Sequence, residues 1–509
     1  MSTNSKKSVY NIFIGVGSQL LIVMVGVLLP RLFITSFGSE VNGFLSSINQ
    51  IFAYIVLLEA GVGTASLQAL YRPVAEEDHD RINGVLAATA RFYRKTGYCY
   101  LACVVGLAVI YPLVVESSIP VWQQVLVILI VGGSASIGYF AHAKYRILLR
   151  ADGRQYVYTN VYTLVQLGTS LTKVVMILLG LNIVFIQLGH MVLTLGLAAY
   201  ITWYAKHRYP WLDLKVKPDM EAISQKKSVL VHEIAQMIFT HTDVIILTLL
   251  ADLKVVSVYV VYNMVVETVE TLISNIHNGF SFRLGQIYNT DLKRYVRVYD
   301  LYETAYMAGS CALYCITYLL LLPFMKLYTA GVTDINYLDK WLPVLFVAIK
   351  LFVSGRKMAS CTITYAGHFK KTQWRAVLEA AINLTVSIAG VCLFGIYGVL
   401  FGTLAALLYR ANDVIIYTNA RILGRGPWQT YSRWLVNICI FVLVCWLESY
   451  IPIQADHYFS LILQAVLYTI PVCLAFFLGN LLVFPKQFKK IFAYLGRMIK
   501  SKRHSGQKV

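Results

Sequence analysis

Charge is scarce in this chain. Only 14% of its 509 residues are Asp, Glu, Lys or Arg, against about a quarter in ordinary globular proteins. With 58% apolar residues and a mean hydropathy of +0.63, one soluble core could not bury so many apolar side chains, so lipid is the expected solvent for most of them. Cysteine offers no framework: all nine lie in apolar stretches, which supports neither a disulfide scaffold nor a zinc site. The phosphate-binding pattern G-x-x-x-x-G-K-[ST] is missing, so ATP hydrolysis is not expected. His232-Glu233 lacks a histidine four positions after His232 and is no zincin helix. No catalytic residue, cofactor or metal is expected. Met1–Ser8 leads into an apolar segment without an A-x-A-like site, so that segment is expected to span rather than to be cleaved.

What the sequence does contain is a long series of apolar segments. A hydrocarbon layer of ~30 Å needs about 20 residues of helix, and by that measure about 14 spans follow, among them Val9–Phe33, Val41–Leu70, Tyr156–Leu179, Ser228–Ala251, Val255–Gly279, Trp341–Tyr365, Ser432–Leu447 and Tyr458–Phe484. Of the 44 Lys and Arg residues, 35 fall in every second gap between spans, three (Lys254, Lys326, Lys340) in the other gaps and six inside spans. Cytoplasmic loops concentrate Lys and Arg, so both termini are expected on the cytoplasmic side. The net charge of +19 is spread over short loops, which fits an anionic leaflet better than a nucleic acid. Phe488, Ile491, Phe492, Leu495 and Ile499 share a helical face flanked by basic residues, the pattern of a helix lying on the inner leaflet.

The chain repeats itself. Val41 and Asn49 recur as Val255 and Asn263, Cys99 and Cys103 as Cys311 and Cys315, Pro112 as Pro323, and Ala151 and Gly180 as Ala366 and Gly395, at offsets of 211 to 215 residues. An offset of six spans predicts two parallel six-helix lobes: 1–205 and 228–420, a cytoplasmic linker 206–227, two additional helices in 421–484 and a basic tail 485–509.

Function is sought among ionisable groups inside spans, because each costs ~3 kcal/mol or more at the bilayer centre unless it meets a partner or a wet cavity. The six cations are Arg31, Lys173, Lys350, Arg356, Lys357 and Arg410. Lys350 and Lys357, seven apart, share a helical face, and with Arg356 they make Trp341–Tyr365 the most cationic span. A diphosphate crossing the membrane needs such donors. The competing reading pairs Lys350 with an acid, takes Arg356 and Lys357 to the headgroups, and joins Arg410 to Asp413 three residues on. Glu59, Asp243, Glu267 and Glu270 are candidates for ion coupling, since a buried carboxyl can titrate near neutrality. Glu233 and Glu379 also lie in spans, and His142, His190, His232 and His241 lie within spans or at their edges; His241 is singled out for its place two residues before Asp243. Asp78-His79-Asp80 imitates the D-x-D of sugar-nucleotide transferases, but sits in a short acidic run that reads as a solvated loop.

Several short stretches resemble bacterial polysaccharide transporters, the oligosaccharide-lipid flippases of the multidrug/oligosaccharidyl-lipid/polysaccharide exporter superfamily. They are Leu29-Pro30-Arg31-Leu32-Phe33, Phe37-Gly38, Leu58-Glu59-Ala60-Gly61-Val62-Gly63-Thr64-Ala65, Arg208-Tyr209-Pro210-Trp211, Thr242-Asp243-Val244-Ile245-Ile246-Leu247 and Phe394-Gly395-Ile396-Tyr397-Gly398. The resemblance implies an all-α membrane protein with two six-helix lobes in a V around a cavity, plus the two extra helices. It also implies a non-enzymatic role: moving an isoprenoid-diphosphate-linked oligosaccharide to the outer leaflet of a bacterial plasma membrane. A monomer surrounded by lipid is expected, with a polysaccharide polymerase and export machinery as partners. Arg31, Glu59 and Asp243 fall in the resembling stretches. A teichoic-acid-type precursor flippase and a drug/cation antiporter are the alternatives. A membrane polymerase ranks lower, because the gaps on the cation-poor side are too short for a catalytic loop.

Overall fold

The computed structural model describes residues 26–59, 62–221, 237, 241–450, 453 and 455–489. Every regular element among them is helical. Helices α1 (Gly26–Phe37), α2 (Ser39–Ile55), α3 (Val62–Ala75), α4 (His79–Val114) and α5 (Val121–Phe140) are followed by α6 (Ala143–Ala151), α7 (Gln155–Leu178), α8 (Ile183–Arg208) and α9 (His241–Leu250). Then come α10 (Leu253–Thr290), α11 (Leu292–Tyr328), α12 (Trp341–Tyr365), α13 (Phe369–Phe394), α14 (Ile396–Tyr417), α15 (Trp428–Glu448) and α16 (Tyr458–Val483). Ten helices among the described residues are long and apolar enough to cross a membrane. With leucine, valine and tryptophan side chains exposed along their outer faces, they make the chain a multi-pass membrane protein. Helix α12 is as long as these, but carries Lys350, Arg356 and Lys357. The predicted basic helix beyond Lys489 and the pair His232-Glu233 lie outside the described residues.

Two expectations are corrected. Val41–Leu70 is not one continuous helix: α2 ends at Ile55, a single 3-10 turn covers Val56–Glu59, and α3 starts at Val62. Many of the basic "loops" are helix rather than loop. At 36 residues α4 is about 54 Å long, so it extends beyond the hydrocarbon layer, and Arg81, Arg91, Arg94 and Lys95 sit on that extension. The acidic run at 76–80 is mostly the turn between α3 and α4: Glu76 and Glu77 lie in the turn, and Asp78 caps α4 by accepting a hydrogen bond from the Arg81 amide (3.1 Å), satisfying a free N–H of the first turn.

Repeated sequence positions hold corresponding structural roles. Helices α4 and α11 are both unusually long, begin at an aspartate cap (Asp78, Asp291) and contain a proline near their ends (Pro112, Pro323). Helices α7 and α13 both terminate at a glycine of positive φ, Gly180 (+71°) and Gly395 (+54°), a conformation that a side chain would strain. At a 215-residue separation, within the repeat offset, Asn42 Nδ2 donates to Ser257 Oγ (2.8 Å).

The described chain divides into two packed units: Met1–Val260 with Val332–Ile335, and Val261–Gly331 with Asn336–Val509. The short 332–335 segment belongs with the first unit because Asp334 receives the Ser39 amide and hydroxyl, both at 2.8 Å, at the start of α2. One continuous apolar core, running from Phe33 to Leu253, holds the first unit together. In the second, α13 and α14 approach so closely that a Cβ on Gly390 would lie 2.8 Å from the Gly398 Cα, and one on Gly402 would enter Ser387. Small residues permit this contact, which in lipid rests on van der Waals packing.

A second tie joins α15 to α11. Arg433, 3% exposed, and Arg425 bond to Asp300 and Glu303, and Thr430 Oγ1 donates to Glu303 (3.1 Å). Two arginines that read as topology markers are thus internal clamps.

Gly398→Val should force α13 and α14 apart and destabilise the protein by ~1–3 kcal/mol, seen as a lower melting temperature in lipid nanodiscs. An unchanged melt would refute the close crossing.

Candidate functional site

The charged groups around α12 separate into two networks on different sides of that helix. Lys350 and Arg356 are six residues apart, about 120° around the helix, so they cannot converge on one point. Lys350, 6% exposed, directs its ammonium to Glu267 Oε1 and Glu270 Oε2 of α10, each at 2.5 Å. These acids, three apart, share one face of α10. Two carboxylates on one ammonium leave this cluster with an excess negative charge.

Arg356 points the other way. Its Nη1 donates to Glu379 Oε1 of α13 (2.5 Å), while Arg410 of α14 reaches Glu379 Oε2 at 3.3 Å and Asp413 Oδ2 at 2.8 Å. Arg375 closes the network on Asp413. Three guanidiniums and two carboxylates give an excess positive charge. The i,i+3 pairing of Arg410 with Asp413 is present, but Asp413 is shared with Arg375 and Arg410 with Glu379. Pairing of this kind is what makes such charges tolerable away from water.

Lys357 lies on the Lys350 face and forms no ion pair among the described residues. Its charge acts on His277 and Cys361. His277 is 1% exposed, with Nδ1 3.2 Å from the Tyr302 hydroxyl and Nε2 3.1 Å from Cys361 Sγ. Sequence inspection passed over this histidine. The only signal was the spacing Glu270, His277, Ser281 on α10 against Lys350, Lys357, Cys361, Tyr365 on α12, which repeats each helix face.

In the first unit the candidates sit on several different elements. Arg31 is half-buried on α1. Glu59 closes the 3-10 turn, 3.9 Å from Arg146 Nη2. Asp243 is buried on α9 and accepts from the Tyr259 hydroxyl (2.9 Å), beside Thr242, which bonds Tyr54 (2.5 Å), and His241, which bonds Gln50. Lys173 is half-buried on α7 near His190 of α8 and has no carboxylate partner among the described residues. One turn earlier, Thr169 is 5% exposed and its Oγ1 has no hydrogen-bond partner among the described residues.

Two cavities belong to the second unit. An apolar one of about 430 Å³ is lined by Ile273 and Ile276 of α10, Tyr306 and Leu313 of α11, and Phe476 and Phe477 of α16. A polar one of about 740 Å³ lies where α10 meets α11, lined by Ser281, Arg283, Gln286, Asn289, Arg294 and Tyr365. Among the described residues, no group of three or more His, Cys, Asp or Glu side chains is placed to hold a metal ion.

No protein-family model and no curated protein matches the sequence. Solved structures do match the fold. A lipid II flippase, MurJ, in an inward closed conformation aligns with a TM-score of 0.65 at 13% identity, over 94% of this chain and 100% of that one. An inward-facing multidrug resistance MATE family transporter of the MOP superfamily aligns with a TM-score of 0.60 at 14% identity, over 78% of this chain and 95% of that one. A MATE multidrug transporter, DinF-BH, gives 0.52 at 12% identity, over 80% and 93%. The chain has the fold of these membrane transporters.

Lys350→Met should leave Glu267 and Glu270 facing each other without a counter-ion and destabilise the protein by ~3 kcal/mol. Adding Glu267→Gln and Glu270→Gln should restore most of the lost melting temperature. If the single variant melts like the parent, the three groups do not form a balanced cluster.

Proposed function

We infer that this protein is a flippase that carries an isoprenoid-diphosphate-linked oligosaccharide, the repeat unit of a surface polysaccharide, from the inner to the outer leaflet of a bacterial plasma membrane by alternating access. One observation supports a lipid-linked cargo over a drug. The lipid II flippase covers 94% of this chain, whereas the MATE transporters named above cover 78% and 80%. A teichoic-acid-type precursor presents the same phosphate chemistry and is the second reading. A drug/cation antiporter fits less well, because an organic cation would meet intramembrane lysines that have no acid beside them among the described residues.

The residue roles follow from charge. A diphosphate is drawn first to cations not committed to carboxylates among the described residues, such as Lys173 in the first unit and Lys357 in the second. Arg356 and Arg410 add the excess positive charge of their network, and Arg31 supplies a further guanidinium. Lys350, clamped by Glu267 and Glu270, is better suited to coupling than to cargo: losing or gaining a proton on either acid changes how firmly α10 and α12 are tied. Glu59 and Asp243 are the coupling candidates of the first unit. The apolar cavity beside α16 suits an isoprenoid chain. Both termini lie on the cytoplasmic side, and the protein works as a monomer beside polymerase and export partners.

A water-soluble short-chain prenyl-diphosphate disaccharide should bind the protein in nanodiscs. Lys173→Ala and Lys357→Ala should each weaken it by roughly tenfold to a hundredfold, the loss of a charge-assisted contact of ~1.5–3 kcal/mol. Undiminished binding by both variants, or preferential binding of an organic cation, would remove the diphosphate reading.

A further inference from the structure

We propose that the seam where α10 faces α12 is a proton path joining the Lys350–Glu267–Glu270 cluster to the polar cavity at the C-terminal end of α10, with His277 as its carrier. The proposal draws on the functional reading above only for what the proton is used for. The path itself stands on the geometry of these helices.

Contacts along the seam advance together on both helices. Glu267 and Glu270 meet Lys350, His277 meets Cys361, and Ser281 meets Tyr365. The helices therefore run in the same direction, and each step on one is matched on the other. Exchangeable groups occupy nearly every turn. At one end, Glu267 is half exposed, with 47% of its side chain accessible, while Lys350 is buried. At the other, the Ser281 and Tyr365 hydroxyls are 2.7 Å apart and both line the 740 Å³ cavity.

The stretch from Glu270 to His277 covers about 10 Å along the helix, too far for one hydrogen bond. Tyr306 of α11 fills it. Its ring packs edge-on to His277 at 5.5 Å. Tyr302 stacks on Tyr306 at 6.0 Å and reaches His277 Nδ1. His277 is thus approached by the Tyr302 hydroxyl on one ring nitrogen and by the Cys361 thiol on the other. The groups facing it are Tyr302 and Tyr306 from α11 and Lys357 and Cys361 from α12.

Imidazole is suited to this place because it can take a proton on one nitrogen and release another from the second. A proton leaving the Glu267/Glu270 pair restores the carboxylate that holds Lys350. It passes by the tyrosine hydroxyls to Nδ1, and the proton on Nε2 is handed to Cys361 as that thiol gives up its own toward Tyr365, Ser281 and water in the cavity. Each donor receives one proton for the one it loses, and the ring resets by exchanging tautomers. The Lys357 ammonium opposes a second resident charge beside it, so the imidazole transfers rather than stores. A metal cation fits the seam poorly, since Na⁺-like hard ions need several oxygen ligands around one point and the middle of this path offers nitrogen, sulfur and hydroxyls in single file.

The test is proton flux in vesicles reconstituted with the full-length protein, read by an internal pH-sensitive dye under an imposed potential, alongside movement of a lipid-linked oligosaccharide in the same vesicles. His277→Gln keeps hydrogen bonding but cannot exchange a proton, and should lower the flux by about tenfold or more at an unchanged melting temperature. Tyr365→Phe keeps the ring and should slow the flux at the cavity end, which decides the matter if His277→Gln fails to fold. Wild-type flux in Tyr365→Phe and in a folded His277→Gln would overturn the path. Wild-type vesicles that carry no proton, or that carry Na⁺ instead, would also overturn it. A His277-dependent flux without oligosaccharide movement would leave the path standing and overturn only the flippase reading.

Discussion

A charge placed within a lipid-spanning helix has to find a counter-charge or water, and α12 has to solve that problem three times in eight residues. Its solution organises the second unit. Lys350 is taken up by two glutamates of α10, and Arg356 by Glu379 of α13, which also receives Arg410 of α14. Four helices are thereby tied to each other through side chains that would be intolerable alone. Small residues at the α13–α14 crossing then allow these helices the closeness that the network needs. Because the two networks are unequal in charge, one acidic and one basic in excess, α12 separates groups suited to protons from groups suited to an anion.

Much of the fold was legible in the sequence. Hydropathy fixes where helices can span, and the repeated glycines Gly180 and Gly395 prove to lie at the ends of α7 and α13 with positive φ. The repeat offset, found in scattered residues, reappears as matched caps at Asp78 and Asp291. Other features were hidden for physical reasons. The break after Ile55 leaves no mark in hydropathy, because a 3-10 turn of Val56, Leu57, Leu58 and Glu59 is as apolar as the helix it interrupts. Arg425 and Arg433 count as loop cations by position, yet their partners Asp300 and Glu303 are more than a hundred residues away, a separation that no local pattern encodes.

The candidate site was legible as a set of residues, not as an arrangement. Sequence spacing put Lys350 and Lys357 on one face, and the structure keeps them there. It could not tell that Lys350 is neutralised twice over while Lys357 is not, because that depends on which face of α10 looks at α12. His277 was overlooked for the same reason: a histidine near the end of a span reads as interfacial until Tyr302 and Cys361 are seen against its two nitrogens. Lys173 stands out only once its helix is found to bring it no acid among the described residues, next to a buried threonine hydroxyl that likewise has no partner among them.

The central claim is that this arrangement of charges serves a lipid-linked diphosphate cargo. Its most direct test places a fluorescent polyprenyl-diphosphate oligosaccharide in both leaflets of vesicles and adds an impermeant quencher. With the protein present, the inner-leaflet pool should become accessible with time, while a fluorescent phospholipid in parallel vesicles stays protected. Continued protection of the oligosaccharide lipid, or equal loss of protection for both lipids, would contradict the account.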